Sequence, residues 1–264
     1  MLADFEKPRK PEKEEMKQYL KEEKEKLAAF QMRIKEARLP VMVIFEGWGS
    51  AGKGSALGEI IKNIDPRFFQ VATMDKPPTE EEQRKPFLYR YFIEIPEKGK
   101  FKFFDTCWME EVTDGVLTGT LSEKEYDKRV HSINVAERQL VDNGYLVMKY
   151  FFHISEKEQK EREGELILKS FLPGDYIVLL DEHGNERRSI EFAQWMQKKM
   201  SAGPKRLIFV VGGPYGFSEA VYAAAQEKVS LSQMTLSHQM IRLLFVEQIY
   251  RAMTILNGEP YHHE

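Results

Sequence analysis

At 264 residues the chain can hold one large α/β domain or two small ones, and a 42% apolar content supports a real core. A net charge of −3 excludes a global basic field for nucleic acid or polyphosphate, so any polyanion site has to be a local patch. Cys107 is the single cysteine, which excludes an intramolecular disulfide, and the charged N-terminus with no long apolar run points to a cytoplasmic protein with no membrane partner.

Residues 1–38 are rich in Lys and Glu, with apolar residues recurring at Met16, Tyr19, Leu20, Leu27, Phe30 and Ile34. That narrow stripe predicts a helix with a solvated charged face. From Pro40 the pattern turns to strand–helix alternation. Val41 to Phe45 is a continuous apolar run, as in a strand buried on both faces. A helix is predicted from Gly52 to Ile64, stopped by Asp65-Pro66, then a short strand at Phe69 to Thr73. Glu80 to Ile95 reads as helix kinked or split at Pro86, and Phe101 to Phe104 as the next strand. Ser122 with Glu125 forms a capping box at the start of a helix closed by Gly144, and Tyr145 to Phe152 is a strand. Ser155 caps a helix to about Phe171. Beyond it come a strand Tyr176 to Leu180, a turn His183-Gly184-Asn185 and a helix Ser189 to Met200. The last elements are a strand Leu207 to Val211, a short helix near Ser218 to Ala225, a strand at Val229 to Leu231 and a final helix from Ser237 to Leu256. Such alternation argues α/β with mostly parallel sheets.

Two segments carry chemistry. Gly47-Trp48-Gly49-Ser50-Ala51-Gly52-Lys53-Gly54 lies between a strand and a helix, the context of a phosphate loop. Its backbone N–H groups, the helix N-terminus and Lys53 would hold phosphate, with Gly47, Gly49, Gly52, Lys53, Gly54 and Ser55 as the candidate residues. The usual Mg²⁺-binding hydroxyl position is Gly54, and the nearest hydroxyl is Ser55. Asp105, at the end of the Phe101–Phe104 run, sits where a Mg²⁺-holding carboxylate belongs, although an Asp after a strand is often only a helix cap. Arg129 and Arg138 on the next helix could close over phosphates; exposed arginines on a polar face are the commoner case. The second segment is Val210 to Gly216, a strand end meeting a Gly-Gly-Pro-Tyr-Gly turn, followed by the loop Leu231 to Leu236 and a long apolar helix. Taken alone, those are ordinary loops at strand ends.

The Gly-Lys-Gly loop, Lys85 to Phe92, Ile95-Pro96, Phe104-Asp105 with Trp108, and Gly144 to Glu158 resemble the family-two polyphosphate kinases, over about Leu27 to Gln159. This resemblance implies Mg²⁺-dependent phosphoryl transfer between polyphosphate and a nucleotide. That family usually has an acidic residue where this chain has Gly49, and it continues with more lid and a last strand and helix. From about Lys157 to Glu264 the sequence resembles the large-subunit ribosomal RNA pseudouridine N3-methyltransferases of the SPOUT class. The matching residues are Lys160 to Glu165, Leu179 to Asp181, Gly212 to Gly216, Leu231 to Leu236, His238 to Met240, Glu247 to Arg251 and the tail Gly258 to His263. This second resemblance implies a trefoil-knotted homodimer that binds S-adenosylmethionine and acts on ribosomal RNA. By position, Leu180, Gly212, Leu231, Ser232, Gln233, Met234, Thr235 and Leu236 would line the cofactor pocket, and Tyr261 and His262 would face the base. The family's first strand, first helix and second strand are replaced by kinase-like sequence.

The expectation is therefore three segments: a charged helix (1–38), a P-loop parallel-sheet part (39–156) and a SPOUT-like trefoil-knot part (157–264). Methyl transfer is the leading activity, polyphosphate:nucleotide phosphotransfer the alternative, and a dimeric scaffold with two vestigial sites the third reading.

Overall fold

The computed structural model describes residues 12–74, 76–213, 215–234, 236 and 238–262. The predicted pocket residue Thr235, the first eleven residues of the charged segment and the predicted helix start Ser237 lie outside them. Two compact units divide the chain between Ile154 and Ser155.

In the first unit, helix α1 (Lys13–Glu36) precedes β1 (Val41–Gly47), α2 (Lys53–Ile61) and β2 (Phe69–Thr73). Only two residues of the α1 stripe pack: Leu27 and Ile34 reach the core, while Met16, Tyr19, Leu20 and Phe30 stay exposed. Pro86 splits the next predicted helix into α3 (Glu80–Gln83) and α4 (Tyr89–Phe92). Then come β3 (Phe101–Asp105), α5 (Trp108–Leu117), α6 (Glu123–Asp142) and β4 (Leu146–Phe152). The capping box at α6 is present in both directions, Ser122 receiving the Glu125 N–H and Glu125 the Ser122 N–H.

The four strands run in the order β2-β3-β1-β4, with every described pair parallel. Alternation along them builds two cores. Met42, Ile44 and Phe104 face Tyr91, Trp108, Val112 and Ile133. Val41, Val43, Phe45, Phe101 and Phe103 face Leu57 and Ile64 on the other side. Burial on both faces explains the unbroken apolar run of β1. This order puts the loop after β1 beside the C-terminal end of β3, so the start of α2 at Gly54 lies beside Asp105.

In the second unit, α7 (Glu156–Lys169) is capped by Ser155, which accepts the Glu158 N–H. It is followed by β5 (Asp175–Asn185), α8 (Ser189–Ser201), β6 (Arg206–Val211), α9 (Glu219–Ala224), β7 (Glu227–Val229) and α10 (His238–Asn257). The sheet order is β6-β5-β7, all parallel. Val178 and Leu180 pack toward α8 and α10, and Ile177 and Leu179 toward α7 and α9. Two sequence expectations change here. His183 to Asn185 is extended strand rather than a turn, because Gly184 lets β5 press on β7: a Cβ there would stand 2.6 Å from the Val229 carbonyl carbon. The last strand lies at Glu227–Val229 and not at Val229 to Leu231. Strand β4 does not join this second sheet, since it pairs with β1 over seven residues, Val41↔Leu146 to Gly47↔Phe152.

Candidate phosphate loop and cofactor cleft

The phosphate loop is shaped by three residues with positive φ, Gly47 (133°), Ser50 (56°) and Gly52 (102°). Gly47 has the severest requirement, because a Cβ on it would fall 2.2 Å from the Phe152 carbonyl oxygen of β4. Gly52 is the N-cap of α2 and offers no side-chain cap, so the helix start is left to its backbone N–H groups. Lys53 Nζ donates to the Gly47 carbonyl at 2.7 Å and pairs with Glu110 Oε2 at 3.0 Å. Gly54 and Ser55 are exposed, as is Gly49. A Cβ on Gly54 would stand 3.9 Å from Asp105 Oδ2, which places that carboxylate directly over the helix start. The structure thus brings the Asp105 carboxylate to Gly54 at the start of α2, while the Lys53 ammonium is held by the Gly47 carbonyl and Glu110. Arg129 pairs with Glu111 (3.7 Å) and lies over the Phe87 ring, whereas Arg138 is exposed on α6.

The surroundings of the loop are acidic to a degree the motif did not foretell. Glu46 accepts the Met109 N–H at 3.2 Å. Burial pushes its carboxyl up, against that hydrogen bond, and Glu110 and Glu137 push it up further. A carboxyl raised in the folded state weakens the fold above its folded pKa, and that cost vanishes once pH falls below the ordinary value of 4.5. Glu46→Gln is accordingly expected to melt at a higher temperature than the parent at pH 7. The difference should close below pH 4.5; thermal melts across that range check it.

Among the described residues no three His, Cys, Asp or Glu side chains converge as a metal site. The Asp105 carboxylate beside a phosphate loop is nonetheless the donor set that Mg²⁺ uses when phosphate oxygens and water supply the rest.

The second unit holds a cleft of about 690 Å³, in the usual range for small-molecule sites. Its walls come from the middle of β5 (Leu180, Asp181), the turn after β6 (Gly212, Gly213, Gly216) and the loop after β7 (Leu231, Ser232, Met234, Leu236). Six of the predicted cofactor residues therefore share one cavity. Gln233 is exposed and is not part of its wall. Tyr261 and His262 lie elsewhere, folded back on α10: Tyr261 packs edge-on to Tyr250 at 5.0 Å, and Arg251 reaches both tail residues.

Glycine makes the cleft. A Cβ on Gly212 would crowd the Phe217 ring at 3.2 Å, and one on Gly213 would strike the Glu163 carboxylate at 2.2 Å. Sequence reading missed the polar lining. Asp181 accepts the Tyr222 hydroxyl at 2.5 Å and the His183 N–H at 2.8 Å. Burial pushes the Asp181 carboxyl up, but these hydrogen bonds outweigh it and hold it below the usual range, so it is an anion at neutral pH. Burial and the Asp181 contact push Tyr222 up to about 12, keeping it a donor. No local signal joins residues 181 and 222; only the sheet does.

Residues 119–262 match the family described as predicted SPOUT methyltransferase, and residues 10–167 match polyphosphate kinase 2. Each match spans more than half of the chain. The chain belongs to both families. Both are families of transferases, so this is a two-part chimera of a polyphosphate kinase 2 part and a SPOUT methyltransferase part. Ribosomal RNA large subunit methyltransferase H of Parabacteroides distasonis is 61% identical over 140 residues, 53% of this chain and 87% of that relative. Polyphosphate kinase 2 structures from Pseudomonas aeruginosa and Arthrobacter aurescens align with TM-scores of 0.61 and 0.60, at 28% and 27% identity, over 64% and 66% of this chain. The chain spans only 36% and 63% of those two kinases.

The SPOUT match begins at residue 119, well before Lys157, and the kinase match runs on to 167. Helix α6 and strand β4 thus belong to both matches, although sequence reading assigned them to the kinase part alone. No helix among the described residues is long and apolar enough to cross a membrane.

Proposed function

We propose that the C-terminal part methylates N3 of a pseudouridine in large-subunit ribosomal RNA, using S-adenosylmethionine held in the cleft of the second unit. The observation that carries this reading is the convergence of Leu180, Gly212, Leu231, Ser232, Met234 and Leu236 on one cavity in a chain that is 61% identical to a ribosomal RNA methyltransferase over 140 residues. The cofactor supplies a methyl group on a cationic sulfur. Backbone approach at Gly212 and Gly213 gives it room, and the anionic Asp181 provides countercharge for its positive groups. Thr235 belongs to the same loop in this reading. Tyr261 and His262 do not line the cleft of their own chain. The α10 face beside them exposes Leu243, Val246 and Tyr250, which suits a homodimer in which one protomer's tail meets the RNA base at its partner's cleft. The cofactor pocket would be the knotted region of that dimer.

The second reading, phosphoryl transfer, rests on the phosphate loop that carries Lys53 into the α2 N-terminus and on the Asp105 carboxylate beside Gly54. There Lys53 and the loop amides would hold phosphate, and Asp105 would hold Mg²⁺, for a nucleotide or polyphosphate substrate. Calorimetric titration with S-adenosylmethionine separates the two. Stoichiometric binding that persists in Lys53→Ala is the result the methyltransferase reading requires, and absence of binding removes it.

A further inference from the structure

Lys53, the one full positive charge of the phosphate loop, is already neutralised from within. Its ammonium is 3.0 Å from Glu110 Oε2, and both side chains are largely shielded, at 13% and 30% exposure. The next residue, Glu111, does the same for two arginines: Arg90 Nη1 lies 3.5 Å from it and Arg129 Nη1 3.7 Å. Two consecutive glutamates on the first turn of α5 therefore hold Lys53, Arg90 and Arg129. Glu46 and Asp105 add negative charge on neighbouring strands, and Lys149 on β4 pairs with Glu137 at 2.6 Å. A phosphate chain entering the loop must take Lys53 from Glu110 and then sit beside the displaced carboxylate. Like charges a few ångströms apart, partly shielded from water, repel strongly.

We propose that Glu110 is a specificity-determining residue of the phosphate loop, an internal countercharge on Lys53 that sets the loop against polyanions. This rests on reading the first unit as a phosphate-binding site. Neutralising Glu110 leaves the N–H cradle, Lys53 and Asp105 untouched, so affinity for phosphate should rise.

The test is titration of the full chain with inorganic tripolyphosphate in the presence of Mg²⁺. Glu110→Gln (E110Q) is expected to bind at least about tenfold more tightly than the parent, with Glu110→Asn behaving likewise. Glu110→Asp, which keeps the charge, should show no such gain, and adding Lys53→Ala should abolish binding in every background. Thermal melts establish that each variant is folded. Equal or weaker binding by both neutral variants, still abolished by Lys53→Ala, overturns the role of Glu110 while the phosphate loop stands. Binding indifferent to Lys53→Ala, or none in any variant, removes the phosphate reading and the proposal with it.

Discussion

Gly212→Val is expected to weaken S-adenosylmethionine binding by about 10- to 100-fold, the effect of about 1–3 kcal/mol of overpacking at a ligand wall. Even a methyl at this position meets the Phe217 ring at 3.2 and 3.3 Å and the Gly216 carbonyl carbon at 3.4 Å. The backbone side of that contact cannot yield without moving the turn that closes the cleft. Gly203→Val is the matched control: Gly203 lies on the far side of β6 from the cleft turn in sequence and has nothing within 4 Å of an added Cβ. Its positive φ of 72° costs some stability, yet affinity should be kept. Calorimetry on both variants decides the matter, and equal affinities would detach Gly212 from the pocket.

Gly47→Ala should destabilise the first unit by about 3–5 kcal/mol, a fall of roughly 10 °C in its melting temperature. Two costs add. The residue sits at φ 133°, which side chains rarely adopt, and its Cβ would lie 2.2, 2.6 and 2.8 Å from the Phe152 O, N and carbonyl C. These are backbone atoms of β4, so relief requires parting β4 from β1 at the mouth of the phosphate loop, where Trp48 N–H also donates to Phe152 O at 3.1 Å. Differential scanning calorimetry of the full chain measures the shift. An unchanged first-unit transition would mean that β4 does not pair as described.

The fold was legible where the chain speaks locally. Val41 to Phe45 announced a two-sided buried strand, Ser122 with Glu125 a helix start, and Pro86 a break. The phosphate loop was legible because glycine spacing, lysine and flanking elements are contiguous. What escaped were contacts made by strands meeting late in the chain. Gly184 looked like a turn residue because its partner, Val229, is far away in sequence, and only their close approach makes it strand. Asp181 with Tyr222, and Lys53 with Glu110, escaped for the same reason. Glu110 and Glu111 read as ordinary acidic residues in a first helical turn, where the helix dipole favours them. Their capture of Lys53, Arg90 and Arg129 joins α5 to α2, α4 and α6, elements distant in sequence. The proposed cofactor residues were named by resemblance, and it is the β6-β5-β7 order that gathers three separate segments around one cavity.

The double family match also has a structural counterpart. Helix α6 and strand β4 fall within both matches, and β4 is committed to β1 along its full length. The methyltransferase sheet is left with three described strands. Its cofactor walls are nevertheless all drawn from residues after Ser155, which is why methyl transfer remains the leading reading.

The most direct measurement is transfer of labelled methyl from S-adenosylmethionine to large-subunit ribosomal RNA, comparing RNA that contains pseudouridine with RNA carrying uridine at the same positions. The account predicts incorporation into the pseudouridine RNA only, undiminished in Lys53→Ala and lost in Gly212→Val. Incorporation that ignores the pseudouridine, or none by a chain that binds the cofactor, would contradict it.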